Sequence, residues 1–371
     1  MIYWILFLSL IYCIIRLYEN SRNKKLILFL IIFIAVYFAT FRDGLGMDYS
    51  TYKFHCENSP IGSINWLVTE PFPQLIYTFC FNTKYSAVIF FFITSALICG
   101  ISFWVYSRFN NFWLSAFVFI TYTNLYISSF NLVRQYVASS IILLGTYLFV
   151  IKKKSPWFFL FVLLAFLWHK SAIICVFIYL ISDRKINSYI WIAFLVLSWL
   201  LPIDLIMKIP YLGDALEIFN YTDYLSYNTE SYSRTSLVNL YMHFMVLYFI
   251  IKCKNLKNRE MIENNGFYMA LKLTIISIIF SNISANSLPF AYRFAMFFSP
   301  FIPLLFSFLP KISNKKTSIV LVVLPIIVLL TVFLTLNINE RIYCPQRILP
   351  IESIFDKYYK PYENPYWVPT N

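Results

Sequence analysis

Apolar residues in this chain fall in long continuous blocks joined by polar links. LILFLIIFIAVYFA fills positions 26–39 and SAVIFFFITSALICGISFWVY fills 86–106, with no regular alternation in either. A transmembrane helix needs about 20 such residues to cross roughly 30 Å of hydrocarbon. The blocks predict spans over 2–17, 26–41, 86–107, 112–130, 132–151, 156–168, 170–182, 186–201, 237–251, 266–284, 291–310 and 317–336, about twelve in all. Barrel strands would alternate apolar and polar positions, so the pattern argues against a β-barrel. The first block lacks a small-residue cleavage site and reads as a retained span. The stretch 156–182 is ambiguous. Basic residues flank both ends, so it leaves and re-enters on one side, yet each half has only about 13 residues. Two short tilted helices meeting at His169 and a re-entrant pair both satisfy that constraint. A single span would put 252–259 and 311–316 on the opposite face from the other basic links.

Composition supports the same class. The 371 residues are 60% hydrophobic and 13% charged, with mean hydropathy +0.68, whereas a soluble domain is nearer half apolar and a quarter charged. The predicted fold is all-α, a polytopic transmembrane helical bundle. It forms one membrane domain over 1–336 with long, partly helical outer loops at 42–85 and 202–236. A Pro- and Tyr-rich tail follows at 337–371.

The net charge of +13 invites a nucleic-acid reading, but the placement of the charge argues otherwise. Arg16, Arg22, Lys24, Lys25, Arg108, Lys152, Lys153, Lys154, Arg184, Lys185, Lys252, Lys254, Lys257, Arg259, Lys311, Lys315 and Lys316 are more than half of the 30 basic residues, and all fall on one set of short links. Only Glu19, Asp183, Glu260 and Glu263 oppose them there. The positive-inside rule makes that face cytoplasmic and puts both termini outside. The seven cysteines show no metal-ligand spacing, and no metal or cofactor is expected. Cys56 and Cys344 share the outer face and are a candidate disulfide. Seven glycines leave no room for a glycine-rich phosphate cradle. Any chemistry is therefore expected on the outer face, driven by the substrate.

Polar constellations punctuate that face. The first is TFRDGLGMDYSTY at 40–52, where Gly44 and Gly46 allow a tight turn over a helix end. Arg42 offers a planar fork for phosphate oxygens, and Asp43 or Asp48 can orient it or accept a sugar hydroxyl. The alternative is an interfacial anchor. The second is NLVRQYVASS at 131–140. An arginine inside a membrane helix is a functional candidate, against which snorkelling is the bland account of Arg134. Gln135 points about 100° away and addresses a different neighbour. In LAFLWHKSAII at 164–174, His169 sits between apolar runs, suited to proton exchange or to a structural hydrogen bond. In ANSLPFAYRFAMFF at 285–298, Arg293 opens a span beside Tyr292. Arg42, Arg134 and Arg293 at one depth, with His169, predict an anion site for a pyrophosphate. Lys272, near the inner end of its span, is expected to snorkel.

FRDGLGMDYSTY, EPF at 70–72, NLVRQYVA, LAFLWHKSAI and YRFAMFFSPFIPL at 292–304 resemble, in order and spacing over roughly 1–310, the EpsG-type branch of Wzy-like polysaccharide polymerases. The tail carries none of the resemblance. The resemblance implies a multi-pass protein of the bacterial inner membrane. It would transfer a growing glycan from an undecaprenyl-pyrophosphate carrier to the next lipid-linked repeat unit at the periplasmic face. Its functional positions map onto Arg42, Asp48, Arg134, Gln135, His169 and Arg293. Expected partners are undecaprenyl-pyrophosphate-linked oligosaccharides and a chain-length regulator in the same membrane, with no nucleic acid. An O-antigen ligase acting on lipid A-core, or a flippase of the lipid-linked unit, are the rival readings.

Overall fold

The structure is a computed structural model that describes residues 2–42, 48–59, 70–81, 83–109, 111–122, 125–151, 155–182, 188–200, 237–255, 266–286 and 291–312. Among these there is no β-strand. The helices are α1 (Ile2–Asn20), α2 (Lys24–Thr40), α3 (Tyr49–Asn58), α4 (Pro71–Cys80), α5 (Ser86–Tyr106), α6 (Phe112–Thr121) and α7 (Val133–Thr146). They continue with α8 (Phe158–Trp168), α9 (Val176–Ile181), α10 (Ser188–Leu200), α11 (Leu237–Asn255), α12 (Phe267–Asn286), α13 (Ala291–Phe298) and α14 (Phe301–Ser307). A π-helical turn, Tyr147–Ile151, prolongs α7, and a 3-10 stretch, Lys170–Cys175, leads into α9.

The all-α expectation agrees with this architecture, but twelve full spans do not. Among the described residues only Ser86–Tyr106, Val133–Ile151 and Phe267–Ser284 are long and apolar enough to cross a membrane, and a bent pair, Ala291–Phe298 with Phe301–Ile312, makes a fourth. The expected span 112–130 is instead the ten-residue α6 followed by turns and a 3-10 helix at Ser128–Phe130. Ser115 Oγ donates across to Pro303 O at 3.0 Å, while Thr121 and Ser129 take local carbonyls. Thr121 Oγ1 donates to Phe117 O at 2.8 Å, and the chain turns extended at Tyr122. The stretch 156–182 is two short helical pieces broken at His169, whose backbone is extended at φ −160°, ψ 118°. The expected span 317–336, the loop 202–236 and the tail 337–371 lie outside the described residues. Of the outer loop 42–85, α3 and α4 are helical.

The bundle is centred on α5, α7 and α12. α5 packs on α2 and α7, α7 on α8 and α13, and α12 on α10, α11, α13 and α14. The core is mainly Phe, Tyr, Ile, Leu and Ala, with Val and Met filling in. In hydrocarbon every backbone polar group must be satisfied internally, and Pro300 tests that rule. A proline cannot donate, so Met296 O loses its helical partner and the chain bends by 41°. Ser139 Oγ of α7 donates to Met296 O at 2.9 Å, and Ser299 Oγ at 3.0 Å. Ser277 Oγ of α12 donates to Ala295 O at 3.0 Å, and Tyr106 OH to Pro300 O at 3.0 Å. The break is thus stitched by neighbouring helices.

Lys272 does not snorkel. It is buried, and its Nζ donates to Ile181 O at 3.1 Å and Ser182 O at 3.3 Å, capping the carbonyl end of α9. Cys56 is a buried free thiol beside Cys80, and Cys344 lies outside the described residues, so the structure offers no support for their disulfide.

α7 and α8 meet at Gly145, where an added Cβ would fall 2.5 Å from Phe161 Cβ. Gly145→Ala should therefore destabilise the protein by about 1–3 kcal/mol. Gly100→Ala, which meets nothing within 4 Å, should leave stability unchanged or raised. Thermal unfolding of the detergent-solubilised protein checks both, and equal midpoints for the two variants would refute the tight contact.

Candidate functional site

The site is built around Glu70. Pro71 follows it at the first position of α4, and a residue before proline is driven to extended backbone, here φ −73°, ψ 128°. Its carboxylate makes no cap hydrogen bond and is free to reach elsewhere. One oxygen accepts from Arg134 Nη1 and the other lies 2.7 Å from His169 Nδ1. The backbone N–H of Lys170 also donates to it. The start of α4, the first turn of α7 and the α8 junction therefore converge on one side chain.

His169 is presented by the break in its helix. Its N–H donates to Ala165 O at 2.9 Å and its carbonyl accepts from Ala172 N at 2.9 Å, which fixes the kink between α8 and the 3-10 stretch. The imidazole faces Phe297 with centroids 6.2 Å apart, and its Nε2 is buried without a hydrogen-bond partner among the described residues.

Arg134 and Arg293 are brought together by lacing between α7 and α13. Gln135 Nε2 donates to Arg293 O, Tyr136 OH contacts Met296 Sδ at 2.8 Å, and Ser139 holds Met296 O. Adjacent residues on α7 thus divide the work, Arg134 facing Glu70 while Gln135 holds the α13 backbone. Asp48, just before α3, lies within electrostatic reach of both Arg134 and Arg293, and His169 also feels both arginines. Arg134 also bonds Tyr52 and stays 40% exposed. Tyr292 packs partly against the core near Tyr136.

Arg42 is placed differently. Its guanidinium lies between Phe91 and Phe130, 4.1 and 4.7 Å from the ring centroids, and Nη1 donates to Ala39 O at 3.1 Å. Its electrostatic neighbours are Tyr49, Tyr52 and Tyr126, and Tyr52 in turn bonds Arg134. Arg42 stands behind the tyrosine that touches the site, so the expected three-arginine cluster is a pair with a third member one layer back. Asp43 lies outside the described residues.

A family model described as "EpsG family" matches residues 25–353. The chain belongs to the EpsG family. The match contains every residue of the site and runs past 310 into the tail, further than the motif resemblance reached. No curated protein and no solved structure matches the chain significantly. EpsG membership makes this a membrane protein of Wzy-like polysaccharide-polymerase type.

One residue of the EpsG motifs joins the site without standing out by its own sequence context. Glu70 was visible in EPF, an acid immediately before a proline in an outer loop. Its importance needed the partners Arg134 and His169, 64 and 99 positions away. Among the described residues no group of three His, Cys, Asp or Glu side chains is placed to hold a metal.

The two carboxyls are pushed apart. Burial raises Glu70, but the His169 hydrogen bond and the Arg134 charge outweigh it and hold Glu70 below its ordinary 4.5. Burial dominates at Asp48 and lifts it above its ordinary 3.8 despite both arginines. A depressed acid stabilises the fold above its ordinary value and loses that contribution as pH falls through its folded value. Asp48, shifted the other way, adds no such loss. At neutral pH Glu70→Gln should cost about 1.5–3 kcal/mol, the range of a charged hydrogen bond. The gap to the wild type should close below about pH 4.5. Unfolding midpoints across pH measure this, and a gap that does not narrow as pH falls below about 4.5 would contradict it.

Proposed function

We propose that this protein polymerises a surface polysaccharide at the outer, periplasmic face of a bacterial inner membrane. It moves a growing glycan from an undecaprenyl-pyrophosphate carrier onto the next lipid-linked repeat unit. The observation that carries the reading is that Arg134 and Arg293 both lie within electrostatic reach of Asp48 and His169, at the α7 and α13 ends expected to lie outermost. Two guanidinium groups suit the oxygens of a diphosphate, and their charge is worth most where charge develops on a leaving group.

The acceptor hydroxyl oxygen attacks the sugar carbon bearing the diphosphate, with inversion. The carbon–oxygen bond to the carrier breaks, and its electron pair leaves on the diphosphate. The hydroxyl proton passes to His169. Asp48 balances the arginines when no diphosphate is bound, and Gln135 keeps Arg293 in register. The two lipid tails hold both substrates at one depth and raise their effective concentration.

Orientation is supported by the basic links. Arg16, Lys24, Arg108 and Lys252 lie against Trp113, Tyr18, Trp104 and Tyr248, 4.6 to 5.7 Å from the ring centroids. Cation–aromatic pairs of this kind suit a cytoplasmic headgroup layer, with both termini on the other side. A chain-length regulator in the same membrane would act on this protein from outside the site described.

A deletion strain complemented with variants provides the test. Arg134→Lys and Arg293→Lys keep the charge but lose the fork, and each should cut long polymer at least about tenfold while protein level in the membrane is kept. Single repeat units on the acceptor lipid are the expected residue. Long carrier-linked chains would identify a ligase instead, and units trapped inside a flippase. Normal polymer from both variants would refute the anion site.

A further inference from the structure

We propose that Glu70 is a positioning residue that fixes the tautomer of His169, so that Nε2 is the atom that takes the proton from the acceptor hydroxyl. The chemical half of this rests on the polymerase reading; the structural half does not. Glu70 and His169 side chains are 10% and 11% exposed, so the 2.7 Å contact between Oε1 and Nδ1 is shielded from water. An ionised carboxylate only accepts, so Nδ1 must carry the hydrogen. Arg134 and the Lys170 N–H hold the carboxylate in its ionised form. The neutral imidazole is then left with its lone pair on Nε2.

That nitrogen is also the one left without a hydrogen bond among the described residues. Nε2 is buried and without a hydrogen-bond partner among the described residues, an arrangement that costs stability unless something occupies it. A histidine kept for structure alone would bond through both nitrogens, as buried polar groups ordinarily do. The ring cannot swing to repair the deficit. Its backbone is pinned by the Ala165 and Ala172 bonds, Phe297 lies against its face, and Glu70 holds its other edge. An acceptor hydroxyl donating to Nε2 completes the set. As its proton arrives, the imidazolium is paired with Glu70, and it returns the proton to water before the next repeat unit binds.

Glu70 thus does for His169 what a buried acid does for a catalytic histidine elsewhere, setting tautomer and orientation without touching substrate. Glu70→Gln keeps the shape, yet its amide can donate to Nδ1 and favour the wrong tautomer. Polymer should fall on the order of 10²–10⁴-fold, while Glu70→Asp recovers part of it. In spheroplast membranes carrying their own lipid-linked units, the acid limb of the pH profile should move to lower pH in Glu70→Gln. The carboxylate that favours imidazolium has gone.

The readout independent of activity is the nitrogen spectrum of the full-length protein in lipid, labelled at its histidine rings. The chain has three histidines, 55, 169 and 243, and the signal lost in His169→Gln is assigned to His169. Wild-type His169 should be protonated at Nδ1 alone at neutral pH, and Glu70→Gln should shift it toward the Nε2 form. A wild-type ring protonated at Nε2 overturns the proposal, and so does a spectrum unchanged by Glu70→Gln. If Glu70→Gln does not fold, the wild-type spectrum together with Glu70→Asp decides. Normal polymer from the arginine variants would strike at the polymerase reading while leaving this spectrum to stand or fall alone.

Discussion

An ionised carboxylate in an aromatic bundle has few places to go. Glu70 is nine-tenths covered in a protein whose core is nearly all hydrocarbon and ring. Removing a carboxylate from water costs several kcal/mol, recovered only when cations and donors surround it. Arg134, His169 and the Lys170 N–H are those groups, supplied by α7 and by the broken helix between α8 and α9. The need to neutralise one acid therefore ties the start of α4 to α7 and to the end of α8. Without Glu70 the Arg134 guanidinium would lack its main counter-charge and α4 would lose its polar tie to α8.

The second constraint is the proline break after α13. A continuous helix through 299–300 would satisfy its own carbonyls and need nothing from its neighbours. Pro300 removes that self-sufficiency at Met296 O, and α7 supplies a serine hydroxyl in its place. The same contacts fix how far α13 stands from α7, which sets the separation of Arg293 from Arg134. Function-bearing geometry here follows from a defect in secondary structure, repaired at defined positions. His169 obeys the same logic, since it too sits at a helix break.

Much of this was legible from residue patterns. Continuous apolar blocks gave an all-α membrane protein, and charged or titratable residues at block ends picked out Arg134, His169, Arg293 and Asp48. The count of spans was not legible, because hydropathy cannot see a helix end inside an apolar run. Thr121, His169 and Pro300 break three such runs. Lys272 misled for a related reason, since its partners are backbone carbonyls 91 and 90 residues away. Arg42 was assigned to the anion site by depth alone. Depth does not fix azimuth, and Phe91 and Phe130 claim its faces. Glu70 was the reverse case, an unremarked acid whose partners are remote in sequence.

Two acids near two arginines would cancel a diphosphate site if both stayed charged. Their environments prevent that symmetry. Glu70 is held ionised by its hydrogen bonds and stays committed to Arg134, while burial makes Asp48 the acid that accepts a proton more readily. Unequal carboxyls at one site are a recurrent means of dividing roles. On the proposed reading, Glu70 is permanent and serves the histidine, whereas Asp48 is replaceable and serves the arginines. An arriving diphosphate then competes only with Asp48, the weaker anion. Arg293 is laced to α7 through its backbone carbonyl, which Gln135 holds.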